Sequence, residues 1–400
     1  MITDKMIKAF QKAEGGLFSA SGKADVGDAY QKMEKEGIAL MGWADPYMPD
    51  ESLPDHIREA LIKEIMSPSC PHYTAPIGNS DLKVVLAEKL KKVNHLDVDP
   101  LRNIIITPGS DSGLYFAILP FVEEGDEVII PCPSYPNNFL DIQMMGGVPV
   151  PMELSEEKGY QFTREELEAV VTDKTKMVLL THPNNPTTTV FNKRSLEALR
   201  EVVLEHDLVL VCDQAFEDYT YENEFITPAA MEGMFERTVT VFSFSKGMGL
   251  SGLRVGYIVA DDVVMDKFYA NAVAVIGATN TACQKAAIAA FDDLSFMDQF
   301  EHDFDYRRKK AYEILNEVDG VSVAMPESGF LCWINVSGLG SSSDIVDYLL
   351  KEAKISLNDG VFYGPGGEGH LRICLGVYKD NEKVVDILYR IRDALMKYRA

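Results

Sequence analysis

The amino-acid sequence predicts an α/β protein. We expect a large domain with a mostly parallel, seven-stranded sheet sandwiched by helices, and a smaller α+β domain formed by the N- and C-terminal segments. Between residues 102 and 259, short apolar runs alternate with amphipathic stretches, as in strand–helix–strand units. After residue 259 this alternation gives way to a long helical region. A chain of 400 residues, 46% of them hydrophobic, can bury cores of this size.

The individual elements follow from the same patterns. A helix is predicted at residues 54–66. A second helix is predicted to follow, with Asn79, Ser80 or Asp81 available as its cap. The apolar face of this second helix is predicted to hold Leu82, Val85, Leu86, Leu90 and Val93. Strands are predicted at RNIIIT, EVIIP, VPVPMEL, MVLLT, LVLVC, VTVFSFS and LRVGYIV. Helices are predicted between them at LYFAILPFV, residues 135–145, TREELEAVV and NKRSLEALREVVLEH. A long helical region is predicted at about 261–318. Strands are predicted near 329–336 and 370–376, and a final helix at about 380–398.

The change of pattern also predicts the domain boundaries. Residues 51–290 form the predicted large domain and residues 291–400 the small one. Residues 1–50, which begin with a charged amphipathic helix, are predicted to pack with the small domain. No apolar stretch approaches the ~20 residues of a membrane span, and the amino terminus lacks the apolar core of a signal peptide. We therefore expect a cytoplasmic protein.

The charge and the metal-binding residue types narrow the possible partners. With 38 basic against 62 acidic residues, the net charge of -24 opposes binding to nucleic-acid phosphates and anionic membranes, so neither partner is expected. The six cysteines form no Cys-x-x-Cys pair, which indicates a reducing compartment. The seven histidines show no metal-ligand spacing, so no metal site is expected.

Polar residues follow several predicted strands, and ligands of open α/β sheets bind beyond the carboxyl ends of the strands. The segment GSDSG at 109–113 offers small residues and helix-start N–H groups to a phosphate. The Asp111 carboxylate would repel a phosphate, so contact through its backbone is expected. Asn185, held extended before a proline, can donate its amide, and Asp213 can pair with a protonated heterocyclic nitrogen. Taken singly, an ordinary turn or a helix cap would also explain these residues.

The strand VTVFSFS leads Lys246 into a glycine-rich turn, and Arg254 follows eight residues later. A flexible amine beside hydroxyls and an arginine suits covalent chemistry on a phosphorylated cofactor, although a surface lysine in a loop is the alternative. Two Gly-x-Gly-x-x-Gly matches, starting at Gly247 and Gly364, precede strands instead of helices. A dinucleotide site is therefore not predicted.

Together these residues resemble the pyridoxal-phosphate enzymes of the class I/II aminotransferase superfamily, which have the aspartate aminotransferase fold (fold type I). The resemblance covers essentially the whole chain. In the segment SFSKGMGLSGLRVGY, Lys246 matches the lysine that carries the aldehyde of pyridoxal 5'-phosphate. The resemblance implies that Ser243 and Arg254 bind the cofactor phosphate, together with the backbone of Ser110 and Asp111.

The resemblance also assigns roles around the cofactor ring and the substrate. Asp213 matches the acid that pairs with the pyridine nitrogen, and Asn185, in PNNP, matches the amide near the phenolic oxygen and the substrate. Tyr135, in PSYPN, falls where an aromatic ring stacks on the pyridine. Arg372, in GHLRICLG, matches the arginine that binds the substrate α-carboxylate. Tyr73, in HYTAPIG, resembles the tyrosine that reaches the phosphate of the neighbouring subunit in a homodimer with shared active sites.

Three positions depart from the family pattern. Phe216, three residues after Asp213, is assigned by the resemblance to the cofactor site, at a position where many relatives have a tyrosine that hydrogen-bonds the phenolic oxygen. Loss of this donor is expected to raise the pKa of the lysine–cofactor linkage and to slow its exchange with the substrate. Thr188 replaces the usual glycine in the turn beyond Asn185. Ala44, in the substrate loop, also stands where glycine is common, which is expected to alter how that loop closes.

The implied reaction transfers an amino group from an L-amino acid to a 2-oxo acid (EC 2.6.1.-), within amino acid metabolism. The same site could instead catalyse β-elimination, as in cystathionine β-lyase-like relatives, and the sequence leaves this alternative open. A cofactor-binding regulator fused to a DNA-binding module is disfavoured by the acidic composition. The stretch NAVAVIGATNTACQ offers no cation before Lys285 to a distal substrate carboxylate. This favours neutral or aromatic amino donors with 2-oxoglutarate over strict aspartate specificity.

Overall fold

The computed structural model of the protein describes residues 6–7, 33 and 35–398. The amphipathic helix predicted at the amino terminus, and with it most of the predicted segment 1–50, lies outside these residues. Along the described chain, no helix combines the length and the apolarity needed to cross a bilayer.

A seven-stranded sheet forms the centre of the molecule and confirms the predicted α/β architecture. After a short strand β1 (Ala39–Leu40), its strands are β2 (Ile104–Thr107), β3 (Glu127–Cys132), β4 (Val148–Glu153), β5 (Thr175–Thr181), β6 (Val209–Asp213), β7 (Thr238–Ser243) and β8 (Gly256–Val259). They lie in the order β2-β8-β7-β6-β5-β3-β4. All neighbours are parallel except β8, which runs antiparallel to β7 and β2. No α-helix separates β7 from β8, and a helix is the usual crossover between parallel strands.

Helices cover this sheet because both of its faces are apolar. Successive strand residues point to opposite faces, so Val128 and Ile130 join one core and Ile129 joins another. The helices of the described chain are α1 (Asp55–Ile65), α2 (Ser80–Lys89), α3 (Ser110–Ile118), α4 (Pro136–Met144), α5 (Arg164–Glu168), α6 (Lys193–Glu205), α7 (Asp262–Val275), α8 (Thr281–Ala290), α9 (Ser295–Leu315), α10 (Ser342–Tyr348) and α11 (Asn381–Lys397).

A smaller antiparallel sheet lies in the C-terminal part of the chain. Its order is β12 (Asn358–Asp359), β13 (His370–Cys374), β10 (Leu331–Asn335) and β9 (Ser322–Val323). The short strand β1 pairs in parallel with β11 (Ile355–Ser356). Met41 and Tyr47, which follow β1, share an apolar core with side chains of α9, β10, β13 and α11. The predicted domain boundaries near residues 50 and 290 stay predictions.

Several predicted elements differ in detail from the structure. The helix predicted at LYFAILPFV, from Leu114 onward, begins four residues earlier, at Ser110, so residues 110–113 form the first turn of α3. Asn79 caps α2 as predicted, accepting hydrogen bonds from the backbone N–H groups of residues 81 and 82. The prediction that Val93 lies on the buried face of α2 is wrong. A π-helical turn at Leu90–Asn94 changes the helical phase, and Val93 is exposed. The helical region 261–318 consists of three separate helices, α7 to α9.

Candidate active site

A cavity of about 470 Å³ lies at the carboxyl ends of the central strands. Its walls come from this sheet edge, from the segment after β1, and from β12 and β13. It is lined by Gly42, Trp43, Ala44, Asp45, Ser110, Asp111, Leu114, Tyr135, Thr181, Asn185, Asp213, Ala215, Phe216, Ser245, Lys246, Ser251, Gly252, Arg254, Asn358 and Arg372. The structure thus brings together all predicted site residues except Ser243 and Tyr73.

Asp213 occupies the last position of β6, where the parallel register places it beside Thr181 of β5. The residue is 6% exposed, and this burial raises the pKa of its carboxyl to about 7. A hydrogen bond from the backbone N–H of Ala215 to Oδ1, 3.0 Å long, partly opposes the rise. A cation placed beside this carboxyl would favour its charged form, which suits a partnership with a protonated ring nitrogen.

Lys246 reaches the cavity from the turn that follows β7. Removal of its amine from water lowers the pKa of Lys246, although the charges of Asp45 and Asp111 oppose this effect. Its Nζ donates a hydrogen bond to the backbone oxygen of Ala44 at 2.6 Å and lies 5.9 Å from the centre of the Phe216 ring. A lowered pKa increases the fraction of neutral amine, which is the form that acts as nucleophile and base.

Arg372, on β13, is 3% exposed and donates hydrogen bonds only to uncharged oxygens. Nη1 donates to Oδ1 of Asn185 at 3.1 Å. Nη2 donates to the backbone oxygen of Gly42 at 2.8 Å and to Oδ1 of Asn358 at 2.6 Å. The guanidinium also lies 5.3 Å from the centre of the Tyr363 ring. A buried cation with neutral partners suits recognition of a substrate carboxylate.

A second group of residues, which we call the anion corner, consists of Gly109, Ser110, Asp111 and Arg254. Gly109 has a φ of 85° and precedes α3, whose first turn has no side-chain cap at residue 109. A Cβ at Gly109 would meet the end of the Arg254 side chain, and the positive φ also favours glycine at this position. The Asp111 carboxylate lies 3.6 Å from the same Nη2 and accepts a hydrogen bond from the Tyr135 hydroxyl at 3.1 Å. The Asp111 side chain therefore contacts both Arg254 and Tyr135, whereas the sequence predicted only a contact between its backbone and a phosphate.

Four other predicted residues differ in how they relate to the cavity. Phe216 is buried against Phe330, with ring centres 5.6 Å apart, and offers no hydroxyl to the cavity. Ala44 lines the cavity through the segment after β1. Ser243 ends β7, and its hydroxyl accepts a hydrogen bond from the backbone N–H of Ser245 at 3.1 Å. Tyr73 is 98% exposed and lies outside the cavity.

Residues 40–388 match the family model described as aminotransferase class I and II. The chain belongs to this aminotransferase family. An aspartate aminotransferase of Pyrococcus abyssi is 31% identical to the chain over 349 residues, covering 86% of the chain and 89% of the relative. The aromatic-amino-acid aminotransferase 2 of Thermococcus litoralis is 32% identical over 89% of the chain and 92% of the relative. The crystal structure of an aromatic aminotransferase from Pyrococcus horikoshii matches with a TM-score of 0.84 at 29% identity, covering 91% of this chain and 98% of that one.

As a class I and II aminotransferase, the protein is a transferase of class EC 2.6.1.- that moves an amino group from an amino acid to a 2-oxo acid. The family is generally dependent on pyridoxal phosphate. No finding among these relatives favours the β-lyase alternative. Within the described residues, no group of three or more His, Cys, Asp or Glu side chains is arranged to hold a metal ion.

The sequence did not single out several residues that line the aminotransferase cavity. Trp43 and Asp45 flank Ala44, so the resemblance at Ala44 could have drawn attention to them. Ser251 lies inside the lysine motif, and its hydroxyl donates a hydrogen bond to Oδ1 of Asp45 at 2.6 Å. Asn358 carries no sequence signal, because its contact with Arg372 arises only when β12 pairs with β13.

Proposed function

We propose that this cavity binds pyridoxal 5'-phosphate and catalyses amino transfer between an L-amino acid and a 2-oxo acid. The observation that carries the proposal is that Lys246, Asp213 and Arg372 line one cavity. An amine with a lowered pKa, a buried acid and a buried guanidinium with neutral partners supply the three functions that this reaction requires.

The residues present fit a phosphorylated pyridine that carries an aldehyde. Gly109 leaves room beside Arg254, and the helix-start N–H groups of Ser110 and Asp111 favour a phosphate at the anion corner. We assign Ser243 to the same phosphate group by its place in the lysine motif. Tyr135 lines the cavity, and we assign its ring to stacking on the pyridine ring.

Substrate recognition and proton transfer are assigned to the chain's own residues. Arg372 binds the α-carboxylate of the substrate, and Asn185 holds Nη1 of that arginine through its amide oxygen. The amide nitrogen of Asn185 is left as the donor to a phenolic oxygen. The bound cofactor supplies the electron sink for the pair released when the Cα proton leaves. Asp213 would pair with the protonated ring nitrogen, and the neutral amine of Lys246 would accept the proton from the substrate Cα, becoming an ammonium group.

The charges of the cavity support neutral or aromatic amino donors. The cations that line it are Lys246, Arg254 and Arg372, and each already has an assigned role. Lys285, the first cation after the stretch NAVAVIGATNTACQ, lies in α8 and pairs with Asp81 at 2.9 Å, outside the cavity. No further cation lines the cavity of the described chain to meet a distal carboxylate, and Trp43 adds an aromatic wall.

We also propose a cytoplasmic homodimer in which Tyr73 reaches the partner subunit's phosphate site. The support is the exposure of Tyr73, together with exposed apolar side chains on the neighbouring segment, Ile62, Ile65 and Met66. A surface of this kind is typical of an interface between subunits. Mixing separately inactivated Tyr73→Ala and Lys246→Ala proteins tests the proposal, because only shared sites give mixed dimers an activity that differs from simple dilution.

The cofactor site is tested by borohydride reduction followed by peptide mass analysis. We expect the cofactor mass on Lys246 and its absence in Lys246→Arg. Lys285→Arg is the matched control, since Lys285 lies outside the cavity, and it is expected to label Lys246 normally. Label on another lysine would overturn the site. Pyruvate and ammonia formed from a cysteine-type donor without any oxo-acid acceptor would overturn the reaction.

A further inference from the structure

The pairing of β12 with β13 places Asn358 directly opposite Arg372. Side chains that face each other across an antiparallel pair lie on the same side of the sheet and interact. The hydrogen bond from Nη2 of Arg372 to Oδ1 of Asn358, at 2.6 Å, is shorter than those to Gly42 and Asn185. Asn358 is 6% exposed, so this bond is shielded from water.

The guanidinium of Arg372 has five N–H groups, and three are used within the protein. Asn358 and Gly42 take both hydrogens of Nη2, and Asn185 takes one hydrogen of Nη1. Nε is buried and has no partner. The two hydrogen bonds of Nη2 therefore fix the plane of the guanidinium. One N–H group of Nη1 and the N–H group of Nε have no partner among the residues that the structure describes.

The segment after β1 supports this arrangement. A Cβ on Gly42 would lie 3.3 Å from Nδ2 of Asn358 and 3.4 Å from the backbone of Leu357. The glycine backbone thus packs directly against the Asn358 amide. This contact brings the Gly42 carbonyl and the Asn358 amide oxygen to the same nitrogen of Arg372.

We propose that Asn358 is a positioning residue for substrate-carboxylate recognition, because it orients the Arg372 guanidinium without neutralising its charge. The inference rests on the proposed function, in which Arg372 binds the carboxylate. An aspartate at this position would hold the same nitrogen but would compete with the substrate as an anion. A leucine of similar size would leave the charge intact but would leave Nη2 with one partner fewer.

The test compares Asn358→Leu and Asn358→Asp in the cofactor-loaded enzyme. The first measurement is the dissociation constant of 3-phenylpropanoate, read from the change in cofactor absorbance, and it requires no turnover. The second is the division between KM and kcat for phenylalanine. Asn335→Leu is the matched control, because Asn335 lies on β10 of the same sheet and binds Glu156 instead of Arg372.

We expect Asn358→Leu to weaken 3-phenylpropanoate binding and to raise KM about tenfold, with kcat changed by less than about twofold. Asn358→Asp is expected to weaken binding about a hundredfold at pH 8, because the new carboxylate forms an ion pair with Arg372 and neutralises the charge that the probe requires. Asn335→Leu is expected to bind the probe as the wild type does.

Three outcomes would overturn the inference. In the first, Asn358→Leu binds 3-phenylpropanoate within about twofold of the wild type. In the second, Asn335→Leu weakens binding equally, which would indicate general loosening of the sheet. In the third, Asn358→Leu lowers kcat but leaves the affinity for 3-phenylpropanoate unchanged. A wild-type enzyme that binds 3-phenylpropanoate but transfers no amino group would refute the proposed function alone, and the probe affinities would still decide the role of Asn358.

Discussion

The two arginines of the cavity lie in opposite environments. Arg372 is 3% exposed and donates only to neutral oxygens, whereas the Arg254 side chain is 49% exposed and lies 3.6 Å from a carboxylate. The acids show the same contrast, because Asp213 is buried and the Asp111 side chain is 53% exposed. The interaction between two charges is screened less by water when the charges are buried. We therefore expect substitutions around Arg372 to change binding free energies strongly. Substitutions in the anion corner are expected to change them less and in a salt-dependent way.

The largest expected effect comes from Arg372→Lys. A lysine loses the planar fork and the bonds to Gly42, Asn185 and Asn358, so we expect KM for the amino donor to rise about a hundredfold or more. Arg254→Lys is the matched substitution on the exposed side. It is expected to change cofactor affinity less than about tenfold and to leave KM nearly unchanged. Steady-state kinetics at saturating cofactor and a cofactor titration measure both effects, and equal rises in KM would contradict the contrast.

The next effect concerns the buried acid. Burial raises the pKa of Asp213 from 3.8 to about 7, so the folded protein binds more protons than the unfolded chain between these values. Stability therefore falls as pH rises through this window. In cofactor-free protein, Asp213→Asn is expected to raise the free energy of unfolding at pH 8 by on the order of 2 kcal/mol, and to change it little below pH 4. Urea unfolding at several pH values measures this.

Asp141 provides the control for Asp213, because burial also raises the pKa of its carboxyl to about 7. It does not line the cavity. Asp141→Asn is expected to stabilise the protein at pH 8 without weakening cofactor binding, whereas Asp213→Asn is expected to weaken it. Loss of cofactor affinity in both variants would show that the effect is not specific to the ring-nitrogen partner.

A smaller effect is expected for Asp111→Asn. The amide keeps an acceptor for the Tyr135 hydroxyl but removes a negative charge beside Arg254. We expect cofactor affinity to rise about threefold at low salt and this gain to disappear at high salt. Asp81→Asn, which changes an exposed acid that pairs with Lys285, is expected to have no effect on the titration.

The smallest effect concerns the turn after Asn185, the partner of Arg372. Thr188 has a φ of 65°, a conformation that is unfavourable for a β-branched residue and that glycine adopts readily. Thr188→Gly is expected to destabilise the protein less than Thr189→Gly by about 1 kcal/mol, since glycine accepts this φ. Each variant loses one hydroxyl contact, to the backbone N–H of Glu327 or to the hydroxyl of Thr187. Thermal unfolding measures the difference, and equal losses would contradict the strain argument.

The seven-stranded sheet could be predicted because its strands are continuous apolar runs, and the rule that ligands bind at carboxyl ends located Asn185, Asp213 and Lys246. Arg372 and Tyr135 required the resemblance to a family, since neither stands out by local pattern. Asn358 could not be found from the sequence, because its place beside Arg372 depends on the register of a two-residue strand.

The start of α3 shows another limit of sequence reasoning. The segment GSDSG has low helix propensity, and the helix was predicted only after it, at LYFAILPFV, whereas α3 begins at Ser110. A Cβ at Gly256 would lie 2.7 Å from the backbone nitrogen of Ser110, which shows how closely β8 packs against this helix start. Such close packing cannot be inferred from the local sequence.

The hydrogen bond between Arg372 and Gly42 joins residues 330 positions apart. During synthesis, the whole span of the central sheet, residues 104–259, leaves the ribosome before residue 372 has been added to the chain. The part of the site at the sheet edge can form from this span, whereas the part around Arg372 also needs the segment that contains Gly42. A nascent polypeptide can therefore assemble the residues of the sheet edge early, but the Arg372 side of the site can form only after residue 372 has been synthesised.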